Sequence, residues 1–235
     1  LQIPLLHEFT ANGTYDVEAI ASDPAGNVSS DTTVGEFVFD TLLPDAPIVD
    51  LLATNDTTPA ITGTANLAVD ESLSVEVNGV TYLLGDGDLS IAGSDWTLVI
   101  PPAETLAEGS YEVVAIVRDS LGNQNSDATT NELLVDTTPP AVPTVDLVSS
   151  NDSTPLLTGT AALEAAEALT VRVNGVTYFE VDPHLTVTGS NWSLLIPVSN
   201  EFTADGTYDV EVVVSDAAGN VSTDVTVGEF VYDTS

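Results

Sequence analysis

Apolar and polar residues alternate along most of this chain. Leu169, Val171 and Val173 share one face of a run whose other face carries Thr170 and Arg172. Tyr208, Val210 and Val212 alternate with Asp209 and Glu211 in the same way. A period of two is the mark of a strand with one buried side. Asn174-Gly175 parts two such runs, and Asn-Gly between alternating runs is the strongest short hairpin signal. The pattern predicts strands over 142–148, 155–161, 169–173, 176–179, 185–187, 192–196, 208–212 and 221–232. Turn clusters such as 149–154 and 216–220 separate them. Pro155 opens its strand at an edge, where proline is tolerated. The stretch 161–169 is too short for a helix between strands and reads as a loop.

This pattern recurs. Gly13-Thr14-Tyr15-Asp16-Val17, Gly109-Ser110-Tyr111-Glu112-Val113 and Gly206-Thr207-Tyr208-Asp209-Val210 are equivalent runs, their tyrosines 96 and 97 residues apart. Asn78-Gly79-Val80-Thr81-Tyr82 returns as Asn174-Gly175-Val176-Thr177-Tyr178. A period this long suits a whole sandwich domain rather than a solenoid unit. It divides the chain into an incomplete repeat over 1–41 and complete repeats over 42–137 and 138–235. The incomplete one holds only the last three strands, and by itself exposes an edge and a core face. Seven or eight short strands per repeat read as tandem immunoglobulin-like antiparallel β-sandwiches, an all-β fold. Trp96 and Trp192 are expected inside. Tyr111 and Tyr208 stand two residues before an inward valine, the place of a tyrosine corner. The tryptophan lies on a later strand than in antibodies, so antibody-like recognition does not follow.

Charge narrows the function. The 37 acidic residues against two basic ones give a formal net charge of −35. Nucleic acid and anionic membranes are poor partners for such a surface. Hydrophobic residues at 43% exclude a disordered acidic tail. Cysteine is absent, so no disulfide staples the sandwiches. No apolar run reaches the length of a membrane span, and Leu1-Gln2-Ile3-Pro4 does not read as a signal peptide, as if the chain were cut from a longer one. The self-repulsion calls either for a salty, screening medium or for bound cations.

The candidate chemistry gathers at the repeat junctions. Phe39-Asp40-Thr41-Leu42-Leu43-Pro44-Asp45-Ala46-Pro47 and Val135-Asp136-Thr137-Thr138-Pro139-Pro140-Ala141-Val142-Pro143 each supply an Asp and then stiffen with proline. Every repeat also keeps an Asp-x-x-Gly-Asn turn: Asp23 to Asn27, Asp119 to Asn123, and Asp216 to Asn220. In a seven-strand sandwich that turn lies where the chain enters the domain. Asp40 is therefore expected near Asp119, and Asp136 near Asp216. The loop after the second strand brings Asp70 and Glu71, or Glu164 and Glu167, to the same end. Such carboxylates, with the turn asparagines Asn123 and Asn220, suit calcium, which takes 6–8 oxygens in irregular geometry. Zinc would call for Cys or His, of which there are only His7 and His184. Magnesium resists irregular cages. Asp56, on the first turn of its repeat, is placed to reach toward Asp136. The opposing reading is that Asp-x-x-Gly-Asn is simply a good turn, its Asp capping backbone donors. Gly85-Asp86-Gly87-Asp88 reads as a turn.

These pieces together resemble the bacterial immunoglobulin-like repeats in the extender regions of giant calcium-dependent adhesins, the type I secreted RTX adhesins and biofilm-associated surface proteins. The matching stretches are 136–143, 151–160 and 216–220. The resemblance implies an extracellular segment on a bacterial cell surface that holds a distal adhesive domain away from the cell. It implies calcium at the linkers, on Asp136, Asp216 and Glu164, with Asp40, Asp119 and Glu71 one unit earlier. The first junction departs from the pattern, with Asp45 as an extra ligand. The expected partners are calcium and the neighbouring repeats. No nucleophile stands with a base, so an enzyme is not expected. The competing class is a module that itself binds carbohydrate or protein. It would show as exposed aromatics or an insertion in one repeat, and Phe179 and His184 are the local oddities.

Overall fold

The computed structural model describes residues 8–235, so Leu1 to Pro4 and His7 lie outside the described residues. The chain forms two compact units. One comprises Leu1–Asp50, Ala60–Pro101 and Glu112–Glu132, the other Leu51–Pro59, Pro102–Tyr111 and Leu133–Ser235. Each proline-rich junction, 40–47 and 136–143, lies inside one unit.

The second unit contains the whole last repeat. One antiparallel sheet runs Thr144–Val145, Leu156–Thr160, Asn191–Leu195, Leu185–Thr188. Another runs Val176–Phe179, Ala168–Val173, Val210–Ser215, Val221–Thr223. A third centres on Phe230–Tyr232, antiparallel to Gly206–Tyr208 and parallel to Val148–Ser150. The alternation read from sequence is the burial pattern: Leu169, Val171 and Val173 are buried, with Thr170 and Arg172 turned outward. They pack with Leu157, Trp192, Leu194, Phe202, Val212 and Phe230. Each such aliphatic side chain contributes about 1.5–3 kcal/mol on burial. Trp192 is fully buried, and its indole N–H donates to the Thr144 carbonyl at 3.0 Å. That approach requires Gly159, because a Cβ there would overlap both the Thr144 oxygen and the indole. Tyr208 donates to the Ala204 carbonyl at 2.7 Å, the tyrosine corner. At Asn174-Gly175 both residues have positive φ, 51° and 80°, as a type I′ hairpin demands.

Three predicted strands are broken. The run 142–148 splits into Thr144–Val145, which pairs with Leu156–Thr160, and Val148–Ser150, which pairs with Phe230–Tyr232. The runs 208–212 and 221–232 are interrupted at Asp209 and at 224–229. The reason is a change of sheet: Gly206–Tyr208 pairs with Phe230–Tyr232, whereas Val210–Ser215 pairs with Ala168–Val173. At the crossing the ladder cannot serve every amide, and two carboxylates take over. Asp209 Oδ1 accepts from Gly228 N at 3.1 Å, and Glu229 Oε2 accepts from Val210 N at 3.0 Å. Gly228 has φ 75°. Glu229 is 1% exposed, and its Oε1 has no hydrogen-bond partner. Burial pushes its carboxyl up, but hydrogen bonds from the Val210 amide and Thr226 outweigh burial and hold it below the usual range. The second unit also carries Leu133–Val135, parallel to Leu52–Thr54 and antiparallel to Gly109–Tyr111.

In the first unit, Ile48–Val49, Ala60–Thr64, Asp95–Val99 and Leu89–Ala92 form one sheet. Val80–Leu83, Ser72–Val77, Val113–Arg118 and Gln124–Ser126 form another. The carboxylate exchange recurs here: Glu132 accepts from Val113 N and Glu112 from Asn131 N. It recurs again as Glu36 with Val17 N and Asp16 with Gly35 N. The described residues of the incomplete repeat form two short antiparallel pairs, Gly13–Tyr15 with Phe37–Phe39 and Ile20–Ser22 with Val28–Ser30. Val17 is 41% exposed there, where its counterpart Val210 is 1% exposed. Phe9 packs on Tyr15 and Phe37 at centroid separations of 4.4 and 4.8 Å.

Candidate functional site

The site begins with a turn that closes on itself. Asp216 Oδ1 accepts from Asn220 N, and Asp216 Oδ2 accepts from Asn220 Nδ2, both at 2.8 Å. Gly219, at φ 90°, lets the chain reverse. Asp119 and Asn123 repeat both bonds at 2.9 and 2.8 Å, and Asp23 and Asn27 at 2.9 and 2.6 Å. Donors aimed at a carboxylate favour its charged form. At Asp216 burial opposes and the Asn220 bonds win, so its carboxyl lies below the usual range. At Asp119 the Asn123 amide leads, with the same result.

In the last two copies the second amide hydrogen of the asparagine reaches the junction. Asn220 Nδ2 donates to the Asp136 carbonyl at 2.8 Å, and Asn123 Nδ2 to the Asp40 carbonyl at 3.1 Å. Two residues on, Ser222 Oγ donates to the Pro140 carbonyl at 2.6 Å and Asn125 Nδ2 to the Pro44 carbonyl at 3.1 Å. In the second junction Asp136 N donates to Thr54 O at 2.9 Å, and Asn55 N donates to Ala218 O at 3.0 Å. Glu108 Oε2 accepts from the hydroxyls of Thr137 and Thr138, each at 2.9 Å. An amide nitrogen has two hydrogens, and in Asn123 and Asn220 both are used.

The expected carboxylates line two clefts. Asp40, Asp45, Glu71 and Asp119, with Asp70, border one of about 480 Å³ in the first unit. Asp136, Glu164 and Asp216, with Glu108 and Glu167, border one of about 610 Å³ in the second. Asp56 is not on the second cleft's wall; its Oδ1 accepts from Thr58 N at 2.8 Å. Asn123 and Asn220 each present a donor to the junction carbonyl. The equivalence of Glu71 with Glu164 is corrected. Glu71 accepts from Ala68 N, and Glu167 accepts from Glu164 N, both at 2.8 Å, so Glu167 is the counterpart of Glu71. The donor chemistry is the hard oxygen that calcium takes. Among the described residues, however, no group of three or more His, Cys, Asp or Glu side chains is arranged to hold a metal ion.

Sequence reasoning passed over Glu108, Asn125 and Ser222. A signal for the first existed: Asn12, Glu108 and Asp205 are polar in all three copies and stand 29 residues before Thr41, Thr137 and Thr234. Asn12 Oδ1 and Asp205 Oδ1 accept from Thr41 and Thr234, so the position ties down the threonine of each junction segment.

The sequence profile described as "Bacterial Ig-like domain" matches residues 52–137 and 146–234. Halomucin of Haloquadratum walsbyi is 32% identical over 174 residues, covering 67% of this chain. The chain spans only 2% of halomucin's length. Among solved structures, a tetra-tandem repeat from the extending region of a large adhesion protein is similar at 25% identity. The match covers 95% of this chain and 57% of that one, with a TM-score of 0.36. A 1.5-MDa bacterial ice-binding adhesin matches at 20% identity over 92% of this chain and 74% of its own, TM-score 0.35. Domains A168–A170 of titin match at 13% identity over 90% and 73%, TM-score 0.45.

Proposed function

We propose, from the premise that this chain belongs to the bacterial Ig-like domain family, that it is a spacer segment of a surface adhesion protein, its repeats joined by stapled junctions. The fold is the Ig-like sandwich of that family. Among the described residues no helix is long and apolar enough to cross a membrane. The observation that carries the reading is the recurrent bond from the turn asparagine to the junction carbonyl, Asn220 to Asp136 and Asn123 to Asp40. Each such neutral hydrogen bond is worth about 0.5–1.5 kcal/mol net. With the Ser222 or Asn125 bond beside it, the joint holds one orientation without a disulfide.

Calcium is the second part of the proposal. Asp136, Glu164, Glu167 and Asp216 would hold it in one cleft, and Asp40, Asp45, Glu71 and Asp119 in the other. Bound there, it would neutralise part of the repulsion across each joint and stabilise the folded form by mass action. The test is small-angle scattering of the wild type and of Asn220→Ala, each with calcium and with EDTA. A shorter, broader distance distribution for Asn220→Ala supports the staple, and an unchanged one sinks it. An EDTA-insensitive profile and melting curve remove calcium and leave the staple standing.

A second reading is a module that itself binds carbohydrate or protein. The family suits it better than the spacer reading, and one feature favours it: Phe179 and Val181 are exposed where the middle repeat has Leu83 and Gly85. Glycan and protein binding that vanishes in Phe179→Ser, with folding intact, would turn the assignment to that face.

A further inference from the structure

We infer that the end of the last repeat carrying Asn151 and Asp233 is a ready-made receiving surface for an Asp-x-x-Gly-Asn turn of another Ig-like unit. The inference rests on the stapled-joint reading and adds what the joint recognises.

The argument is a bond-by-bond match between an end that is docked and one that is not. At the docked end, Val135 pairs in parallel register with Thr54, and Asp136 N donates to Thr54 O at 2.9 Å. At the other, Tyr232 pairs with Ser150, and Asp233 N donates to Ser150 O at 3.2 Å. Asp56 N donates to the Thr54 hydroxyl at 3.1 Å, and Asp152 N to the Ser150 hydroxyl at 3.0 Å. Thr58 N reaches Asp56 Oδ1 at 2.8 Å, and Thr154 N reaches Asp152 Oδ1 at 2.9 Å. Leu106 N donates to Thr57 O at 2.8 Å, and Phe202 N to Ser153 O at 2.9 Å. Thr138 N and Ser235 N meet Asp136 Oδ1 and Asp233 Oδ1, both at 3.0 Å.

The two ends differ in what covers them. Asn55 N is taken by Ala218 O, and the Asp136 carbonyl by Asn220 Nδ2. Asn55 and Asn151 are both exposed, but among the described residues neither the Asn151 N–H nor the Asp233 carbonyl has such a partner. The surface therefore offers one donor and one acceptor in the arrangement that, at the docked end, fits a turn's third carbonyl and its fifth-position amide. Any residue supplies the carbonyl, as Ala25, Leu121 and Ala218 show by their variety. Only an amide supplies the donor. An Asp in the fifth position would set a carboxylate against the Asp233 carbonyl, so the asparagine decides acceptance.

The occupant is a repeat on the same polypeptide, since at the docked end the receiving surface and the turn that covers it belong to one chain. The chain's own Asp23–Asn27 turn shows what is presented. Asn27 Nδ2 donates to Asp23 Oδ2 at 2.6 Å, and its second hydrogen has no acceptor among the described residues.

The test is residue-resolved amide exchange on this chain and on the chain lengthened by a further copy of 138–235 after Ser235. In the unlengthened chain the Asn55 amide should exchange at least about tenfold more slowly than that of Asn151, as expected for a locally protected donor. In the lengthened chain Asn151 should slow to the level of Asn55. Changing the added turn's asparagine to aspartate should restore fast exchange. Fast exchange at Asn151 beside an added repeat whose core amides are protected overturns the inference alone. Equal, fast exchange at Asn55 and Asn151 in the unlengthened chain overturns the stapled joint itself.

Discussion

Replacing Glu229 with alanine tests whether the acidic residue at the sheet crossing is structural. Glu229 and Val210 are both 1% exposed, and the bond between them is 3.0 Å. Truncation leaves the Val210 amide buried with no acceptor. An unsatisfied buried donor costs about 1–3 kcal/mol, and a hydrogen bond to a charged group is worth about 1.5–3 kcal/mol. These are two views of one loss, and some cavity cost adds to it, so the expected destabilisation is about 2–4 kcal/mol. For a repeat of about 100 residues that corresponds to a fall in Tm of roughly 10–25 °C. Glu229→Gln keeps an acceptor oxygen and loses the charge, so it should cost about 0.5–1.5 kcal/mol. The assay is thermal unfolding followed by Trp192 fluorescence in a Trp96→Phe background, which isolates the last repeat. The pH dependence adds a signed check. The folded carboxyl lies below its ordinary value. Its contribution is thus complete above the unfolded pKa and is lost as pH falls through the folded one. The gap between wild type and Glu229→Ala should therefore narrow below about pH 4. A Glu229→Ala variant within about 0.5 kcal/mol of wild type, the spread of ordinary surface changes, would refute the argument.

Other consequences can be measured on the same chain. Gly159→Ala should destabilise the last repeat by about 3 kcal/mol or more, because the new methyl overlaps both the Thr144 carbonyl and the Trp192 indole; a wild-type chemical denaturation midpoint would contradict this. Tyr208→Phe should cost about 1 kcal/mol by deleting the hydroxyl bond to Ala204, read from the same denaturation curves. The Asp119 and Asp216 carboxyls lie below their ordinary values, so the turn contributions persist above the unfolded pKa and fade as acid carries pH below it. Carboxyl NMR titration should show both with midpoints below the ordinary aspartate value. Calcium added to EDTA-treated protein should raise the melting temperature if the clefts bind it, with Asp136→Ala reducing the shift.

Much of this was legible before any coordinates. The alternation at 169–173 named the buried face correctly, and the 96-residue spacing marked the repeats. The Asp-x-x-Gly-Asn turns were visible too, because that motif needs a capping Asp and a left-handed Gly whatever surrounds it. The role of the final Asn was not. An amide has both a ligand oxygen and a donor nitrogen, and composition cannot say which faces the junction. The carboxylate at Glu229 was equally hidden. In a chain with 37 acidic residues, one buried Glu looks like any solvated one, and alternation continues smoothly through the point where the strand changes sheet. Glu164 was mispaired with Glu71 because the loop changes composition, placing Glu164 where the other copy has Ala68.

The parallel pairing of Val148–Ser150 with Phe230–Tyr232 has a mechanical side. These segments lie near the start and the end of one repeat, so tension along the polypeptide pulls them past one another lengthwise. Their hydrogen bonds are then loaded in shear and must fail together, whereas a hairpin such as 173–176 would unzip one bond at a time. A repeat wired in this way yields late and abruptly under load, and the same wiring recurs where Leu52–Thr54 meets Leu133–Val135.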